Sequence, residues 1–275
     1  MAAEGELRSG VERVPATANA TGVDAYAPAE VAGRVEAAGV VKAALPADKL
    51  LVLSVLAGAF IGFGAAFYTV AVSDPGLGFG PTRLLGGLAF SLGLVLVIVA
   101  GAELFTGNAL IVMAWAEKRV TSGAVARNWA YSFLGNAVGA VGLAVAVYLS
   151  GVLGAGLPRE TAIRIAETKM ALPFVEAFVR GILCNVLVCL AVWLCFAARS
   201  VTDKILAIVF PITAFVALGF EHSIANLYLL PVGLLAGAEG GVAGLVGNLV
   251  PVTLGNIVGG AGGVAAVYWV IYLRK

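Results

Sequence analysis

Charge is what this sequence has least of. Only 12% of its 275 residues are charged, whereas 61% are hydrophobic. A soluble domain carries about 25% charged and about 45–50% apolar residues, so a surface covered by water cannot accommodate this composition. The mean hydropathy of +1.00 therefore favours a protein that has the lipid bilayer as its solvent.

Other absences exclude whole function classes. The net charge is only +1 and no basic run is present, which argues against a nucleic-acid partner. The three cysteines fall in the single apolar stretch "CNVLVCLAVWLC" without disulfide or metal-ligand spacing, so neither a metal site nor a cofactor is expected. A single histidine cannot supply the two imidazoles of a bis-histidine haem, so a haem protein would need a second ligand from a methionine or a neighbouring chain. The chain also has no nucleotide-binding glycine loop, and we do not expect an enzyme.

The N-terminal part carries no apolar run. Residues 1–22 contain charges of both signs and are expected to form a flexible tail. Residues 23–47 contain Pro28 near a helix start, with Val31, Val35 and Val41 toward one face. This pattern predicts an amphipathic helix at the membrane surface, and a soluble lead-in helix remains the alternative.

Six apolar segments follow, near residues 49–72, 84–116, 125–150, 174–198, 205–236 and 249–273. A bilayer core about 30 Å thick needs about 20 helical residues, but the second and fifth segments are about 32 residues long, which corresponds to about 48 Å. Each contains a polar cluster, "GAELFTGNAL" at 101–110 and "GFEHSIANLYL" at 219–229. We expect both helices to be broken near the midplane, since irregular backbone at that depth must be buried in protein or line a wet cavity.

The two polar clusters belong to an internal repeat. "GAELFTGN" aligns with "GFEHSIAN", and "GNAVGA" at 135–140 aligns with "GNIVGG" at 255–260. The first transmembrane repeat is assigned to 48–150, an outer connecting segment to 151–172 and the second repeat to 173–275. Since each repeat has three spans, the two must run in opposite directions, as in transporters whose sites lie where such repeats meet. The predicted fold is all-α, with six transmembrane helices in an inverted three-helix repeat.

Cationic residues indicate the orientation. Excess Lys and Arg marks cytoplasmic loops, and the predicted arrangement places both termini in the cytoplasm and the protein in the inner membrane. Arg180 is the exception, because it lies within the fourth span. The predicted inner side carries Arg34, Lys42, Lys49, Lys118, Arg119, Arg127, Arg199, Lys204, Arg274 and Lys275, and the outer side carries Arg83, Arg159, Arg164 and Lys169.

The stretches "AELFTGN", "GILCNVLVCLAVW", "GFEHSIANLYLLP" and "TLGNIVGG…YWVIYLR" closely resemble the formate/nitrite transporter family, and the resemblance covers residues 23–275. It implies an aquaporin-like fold and a homopentamer embedded in membrane lipid, with one pore in each protomer. It also implies a small monovalent anion (formate, nitrite or hydrosulfide), or its conjugate acid, as the substrate.

His222 is the strongest candidate for function. Removal from water disfavours a charged imidazole, so we expect it to become cationic only as an anion and a proton arrive. A formate ion crossing hydrocarbon alone pays a heavy desolvation cost that neutral formic acid does not. The imidazole is therefore expected to hydrogen-bond the anion, hand it a proton or supply a transient charge. A neutral, purely structural histidine is the competing interpretation.

The family resemblance assigns further roles near His222. It places Thr106 opposite the imidazole across the pore and Asn256 on the pore wall. It makes Lys169 an anion-attracting charge, although a loop lysine in water is the alternative. Arg159 and Arg164 are weaker candidates for an attractive outer vestibule.

Other polar residues in the clusters favour structural roles. Glu103 and Glu221 precede half-helices whose N-termini stabilise carboxylates. Asn108, Asn136 and Asn226 are expected to cap half-helices or to join neighbouring spans, because an unpaired amide in hydrocarbon is costly.

The apolar constrictions of the pore are assigned from the resemblance alone. It assigns Phe90 and Phe215, with Val188 nearby, to an outer constriction that excludes hydrated ions. The inner slit is assigned to Leu94, Leu104 and Phe105.

Formate is the leading substrate and nitrite or hydrosulfide the alternative within the family. A water or glycerol pore also suits six spans with an inverted repeat. However, the paired Asn-Pro-Ala signature of glycerol facilitators is absent, and a histidine–lysine–threonine set suits acids better than neutral solutes.

Overall fold

The computed structural model describes residues 24–74, 76–154 and 156–274, so the predicted tail at 1–22 lies outside the described residues. Every regular element in the described ranges is helical, and the prediction of an all-helical protein with several apolar helices is confirmed. The α-helices are α1 Pro28–Ala43, α2 Ala47–Ala71, α3 Phe79–Val95, α4 Val112–Ala116, α5 Ser122–Leu149, α6 Leu157–Met170, α7 Phe174–Ala197, α8 Val201–Ala217, α9 Ser223–Ala236, α10 Gly241–Ile257 and α11 Val267–Tyr272.

Five helical stretches in the described ranges are long and apolar enough to cross a membrane. Two shorter apolar stretches, Gly107–Ala116 and Ser223–Ala236, lie between them. π-helical turns extend α3 to Gly101 and join α10 to α11. The five long stretches are Ala47–Ala71, Phe79–Gly101, Ser122–Leu149, Phe174–Ala197 and Gly241–Tyr272.

The start of the last long helix and the structure of the outer connecting segment differ from the sequence-based expectation. The last long helix begins at Gly241, eight residues before the predicted start at 249, because the glycine-rich stretch "GGVAGLVGN" dilutes the apolar signal. The outer connecting segment contains α6, whose buried face is formed by Thr161, Ala162 and Ala166 against α9. Small and polar residues on that face give little hydrophobic periodicity.

Helix α1 packs against other helices of the chain. Val31 and Val35 are buried in a cluster with α7 and α11, whereas Val41 is 66% exposed and does not share their face. Position 39, four residues after Val35, occupies that face instead, and it is a glycine lying against Ile111 and Ala114.

In each of the two long apolar segments, near 84–116 and 205–236, the backbone leaves the helical conformation once. The first irregular segment, residues 102–106, lies between the π turn and a 3₁₀ turn at Gly107–Ile111. The second irregular segment, residues 218–222, separates α8 from α9. Gly101, just before the first segment, and Gly219, within the second, adopt positive φ angles of 85° and 74°, a conformation that glycine accommodates without a Cβ clash.

The start of α8 is fixed by a capping box outside the apolar stretches. Ser200 Oγ accepts from the Asp203 amide at 3.1 Å, and the Asp203 carboxylate accepts from the Ser200 amide at 3.0 Å. The hydrogen bond from the Ser200 side chain holds the pKa of Asp203 below its usual value. The N-terminus of α8 is therefore fixed by its cap at Ser200, before the apolar part of the helix begins.

Glycines let pairs of long helices approach closely, as is common in membrane bundles. In α5, a Cβ at Gly139 would lie 1.9 Å from the Val55 carbonyl oxygen of α2. In the second half, a Cβ at Gly259 would lie 2.2 Å from the Ile182 carbonyl oxygen of α7. The two contacts share a spacing, three residues after Asn136 and three after Asn256, so close packing brings both asparagines against the neighbouring helix.

Substitution Gly139→Ala is expected to lower the free energy of unfolding by about 3 kcal/mol or more, because the methyl group forces α2 and α5 apart. Gly142→Ala on the same helix is the matched control, since a Cβ there meets nothing within 4 Å in the chain. Thermal unfolding in detergent measures both. Equal midpoints for the two variants would contradict the close approach.

Candidate functional site

The first irregular segment is held by one buried amide. Asn136 accepts from the Phe105 amide at 2.9 Å and donates to the carbonyl oxygens of Ser54 at 2.7 Å and Glu103 at 2.9 Å. The bonds to Phe105 and Glu103 satisfy backbone groups of the irregular segment, the bond to Ser54 anchors the amide to α2, and a buried amide is stable only when it is paired in this way.

Asn256 holds the second irregular segment with the same set of contacts. It accepts from the Ser223 amide at 2.8 Å and donates to the carbonyl oxygens of Gly181 at 2.8 Å and Glu221 at 2.9 Å. Its side chain is fully buried, and these three bonds all join it to backbone. The structure thus places Asn256 as a brace behind the segment that carries His222.

The two irregular segments meet through His222 and Thr106. The imidazole Nε2 lies 2.9 Å from Thr106 Oγ1, and the two residues are only 2% and 1% exposed. Asn185 reinforces the junction, because its amide donates both to the Thr106 carbonyl at 3.2 Å and to the Asn256 carbonyl at 2.6 Å. One side chain of α7 therefore joins the first irregular segment to Asn256 of α10, which itself holds the second irregular segment.

The hydrogen bonds of His222 assign its tautomer. His222 is the N-cap residue of α9, and its Nδ1 accepts from the Ala225 amide at 3.1 Å. A nitrogen that accepts carries no proton, so the neutral ring carries its proton on Nε2 and donates it toward Thr106. Protonation of Nδ1 would break the cap and place a positive charge at a helix N-terminus, where the dipole opposes it.

Lys169 and Glu221 form an ion pair beside this junction. Lys169 Nζ lies 2.8 Å from Glu221 Oε1, and their side chains are 17% and 4% exposed. The second carboxylate oxygen accepts from Asn226 at 2.7 Å. Asn226 also donates to Asn248, which donates to the Lys169 carbonyl at 2.8 Å, so the network closes on itself and fixes the lysine.

A matching network holds Glu103. Lys42 of α1 lies 2.5 Å from the Glu103 carboxylate, and Asn108 donates to the other oxygen at 2.8 Å. Asn108 also donates to Asn128, which donates to the Lys42 carbonyl at 3.0 Å.

Sequence reasoning assigned no site role to Lys42, Asn128 or Asn248. The internal repeat does contain a pattern that could have identified the two asparagines. Asn128 follows Asn108 by 20 residues, and Asn248 follows Asn226 by 22.

Aromatic and aliphatic side chains surround the junction. The rings of Phe90 and Phe215 pack edge to face with centroids 5.5 Å apart, and the Phe215 centroid lies 6.0 Å from that of His222. Phe105 packs on Phe133 at 5.2 Å. The remaining residues assigned to constrictions, which are Leu94, Leu104 and Val188, are buried in the same apolar cluster.

A cavity of about 240 Å³, here named the histidine cavity, reaches from the surface to His222. Its wall includes Phe90, Phe215, Lys169 and the second irregular segment from Gly219 onward. A second cavity of about 470 Å³ approaches the first irregular segment from another side and is lined by Lys42, Glu103 and Lys204. The first cavity thus reaches the second irregular segment and the second cavity reaches the first, and the buried His222–Thr106 contact joins these two segments.

Of the two arginines proposed from sequence as outer attractors, the structure brings only Arg164 to the histidine cavity. Arg159 instead donates from Nε to the Ala236 carbonyl at the end of α9, at 2.9 Å. Arg83 and Arg180, for which the sequence suggested no clear role, line the cavity as well.

Comparison with known proteins shows the family to which this chain belongs. The family described as "Formate/nitrite transporter" matches residues 29–270. The formate channel FocA of Escherichia coli (strain K12) is 41% identical over 274 residues, covering 92% of this chain and 96% of FocA. A probable formate transporter of Methanothermobacter thermautotrophicus is 41% identical, covering 90% and 97% of the two chains.

Two solved structures are similar over most of this chain. A pentameric formate channel with formate bound superposes with a TM-score of 0.76 at 40% identity, covering 83% of this chain and 98% of the other. An FNT family ion channel gives a TM-score of 0.82 at 31% identity, covering 88% and 98%. The apolar helices, the family match and these relatives together show that the chain is a multi-pass membrane protein belonging to the formate/nitrite transporter family.

Proposed function

We propose that this protein is a channel or proton-linked transporter for small monovalent anions, with formate as its leading substrate and a proton linked through His222. The observation that carries the proposal is the contact between Thr106 and His222, buried between the two irregular segments next to a cavity lined by cations. A formate-bound pentamer and formate channels among the relatives support the choice of substrate.

The proposed architecture has six spans in an inverted, aquaporin-like repeat. Helices α3 and α4 would form the second span, and α8 and α9 the fifth, each interrupted near the bilayer midplane. The matched contacts of Asn136 and Asn256 around the irregular segments support this assignment. We further propose a homopentamer in the inner membrane with cytoplasmic termini, on the resemblance to a pentameric channel and the cation asymmetry.

In this mechanism the anion enters the histidine cavity, where Lys169 offers a positive charge fixed by Glu221. The apolar ring pair of Phe90 and Phe215 strips most of its water, which a small anion tolerates only if hydrogen bonds replace it. The Nε2–H of His222 and the hydroxyl of Thr106 supply those bonds.

Proton transfer then follows from the tautomer. When Nδ1 gains a proton from the solution that fills the histidine cavity, the approaching formate compensates the new charge, and Nε2 can pass its proton to the carboxylate of formate. The ring returns to a neutral state with the proton on Nδ1 rather than Nε2. The proton must therefore move back to Nε2 before Nδ1 can again accept from the Ala225 amide. The neutral acid then crosses the apolar region at a far lower desolvation cost.

Parallel uptake of formate, nitrite and hydrosulfide into proteoliposomes at several external pH values tests the proposed function. We expect saturable formate uptake above that of protein-free liposomes, which report leakage of the neutral acids through lipid. Faster uptake of nitrite or hydrosulfide would transfer the assignment to the alternative substrates. No protein-dependent uptake of any of the three would refute the proposal.

A further inference from the structure

Three arginines from different helices share the histidine cavity. Arg83 lies on α3, Arg164 on α6 and Arg180 on α7, and all three line the wall of this cavity together with Lys169. Arg83 also reaches the second irregular segment, since its Nη1 would lie 3.4 Å from a Cβ at Gly219. Four cations therefore surround the approach to a single buried imidazole.

The carboxylates near the cavity neutralise only part of this charge. Glu221 is paired with Lys169, and Glu176 is paired with Arg180 at 3.1 Å in an exposed i,i+4 contact that water screens. Arg83 lies over the Phe79 ring at 5.2 Å and Arg164 donates to Thr161 Oγ1 at 3.2 Å. Within the described residues neither of these two arginines has a carboxylate within ion-pair distance, so two positive charges remain without a counter-ion.

Arginine is suited to hold an oxyanion at such a place. Its guanidinium stays charged at all accessible pH values and offers two parallel N–H bonds to a pair of oxygens. Two uncompensated guanidinium groups on one wall attract a doubly charged anion more strongly than a singly charged one. A hydrated divalent anion cannot pass the buried aromatic pair and the junction behind it, so it would stay in the cavity.

We propose that Arg83, Arg164 and Arg180 form an oxyanion site in the histidine cavity that concentrates monovalent substrate and is occupied by divalent oxyanions such as sulfate, which block the path. The block rests on the proposed function, because it requires transport through this cavity. The binding of sulfate itself does not depend on which anion permeates.

Equilibrium binding of radiolabelled sulfate to the purified protein in detergent, at constant ionic strength, tests the site. We expect saturable binding by the wild type and about tenfold weaker binding by Arg83→Gln/Arg164→Gln, as the loss of two nearby charges predicts. Arg159→Gln is the matched control, because Arg159 does not line this cavity, and it should bind sulfate like the wild type. Arg83→Lys keeps the charge but loses the paired N–H groups, so its affinity for sulfate should lie between those of the wild type and the double variant.

Two results would overturn the site. One is a wild type that binds no sulfate saturably. The other is a double variant that unfolds at the wild-type temperature and binds sulfate with unchanged affinity. Should the double variant fail to fold, equal sulfate affinity of Arg83→Gln alone and the wild type would be the overturning result. If the wild type takes up formate and the double variant binds sulfate with wild-type affinity, the site alone is refuted. If sulfate binding depends on the arginines but none of the tested anions is transported, the proposed function alone is refuted.

Discussion

Replacement of Lys169 by glutamine is expected to reduce formate uptake at low substrate concentration by at least about tenfold. The change leaves the Glu221 carboxylate, whose side chain is 4% exposed, without its cation beside the path of an anion. Two like charges about 8 Å apart at an effective dielectric constant of about 20 repel by about 2 kcal/mol, which corresponds to about thirtyfold in occupancy. Initial uptake rates in proteoliposomes at low formate concentration measure the effect.

A second substitution separates this charge effect from damage to the fold. Lys169→Gln/Glu221→Gln removes both charges, and the new side-chain amide at position 221 can still accept from Asn226. We expect the double variant to recover a large part of the uptake that the single variant loses, as coupled neighbours in a double-mutant cycle do. If Lys169→Gln alone transports like the wild type, Lys169 is a loop lysine and the ion pair has no role in attracting anions.

Substitution His222→Asn is expected to remove the protein-dependent response of formate uptake to pH while leaving the assembly intact. Asparagine accepts a hydrogen bond from the Ala225 amide and so keeps the N-cap of α9, but its amide does not titrate. After correction for leakage through lipid, uptake between about pH 5 and pH 8 should change by less than about twofold in the variant, because no group at the junction then changes charge in that range.

His222→Ala serves as the control for stability. Loss of the N-cap should lower the free energy of unfolding of the alanine variant by about 1 kcal/mol, whereas the asparagine variant should unfold near the wild-type temperature in detergent. A wild-type pH response in His222→Asn would assign the proton to another group.

The sequence alone supports the all-helical membrane fold and the family, because both leave local signals. Apolar runs report burial in lipid, and the spacing of Glu103 and Asn108 recurs in Glu221 and Asn226. Polar groups that brace irregular backbone in hydrocarbon cannot be replaced by apolar ones without loss of hydrogen bonds. The hydrogen-bonding residues of the irregular segments are therefore the part of the site that is easiest to recognise in the sequence.

What the sequence could not supply depends on contacts between distant helices. The partners of the two glutamates are 61 and 52 residues away in the chain, and no local pattern marks Lys42 as one of them. In the sequence, Arg180 is an isolated charge in an apolar run, and only the fold brings it to the cavity that Arg83 and Arg164 also line. The tautomer of His222 likewise follows only from its position as an N-cap, which the apolar sequence around it does not reveal.

The coupling of formate to protons tests the central claim most directly. Proteoliposomes that contain a pH-sensitive dye, with the membrane potential clamped by potassium and valinomycin, report formate uptake and internal pH together. Proton transfer through His222 predicts acidification that accompanies protein-dependent formate uptake one for one, at a rate that does not follow the clamped potential. It also predicts that His222→Asn lacks this coupled component. Uptake by the wild type that follows the potential without acidification, or coupled uptake that persists in His222→Asn, would contradict it.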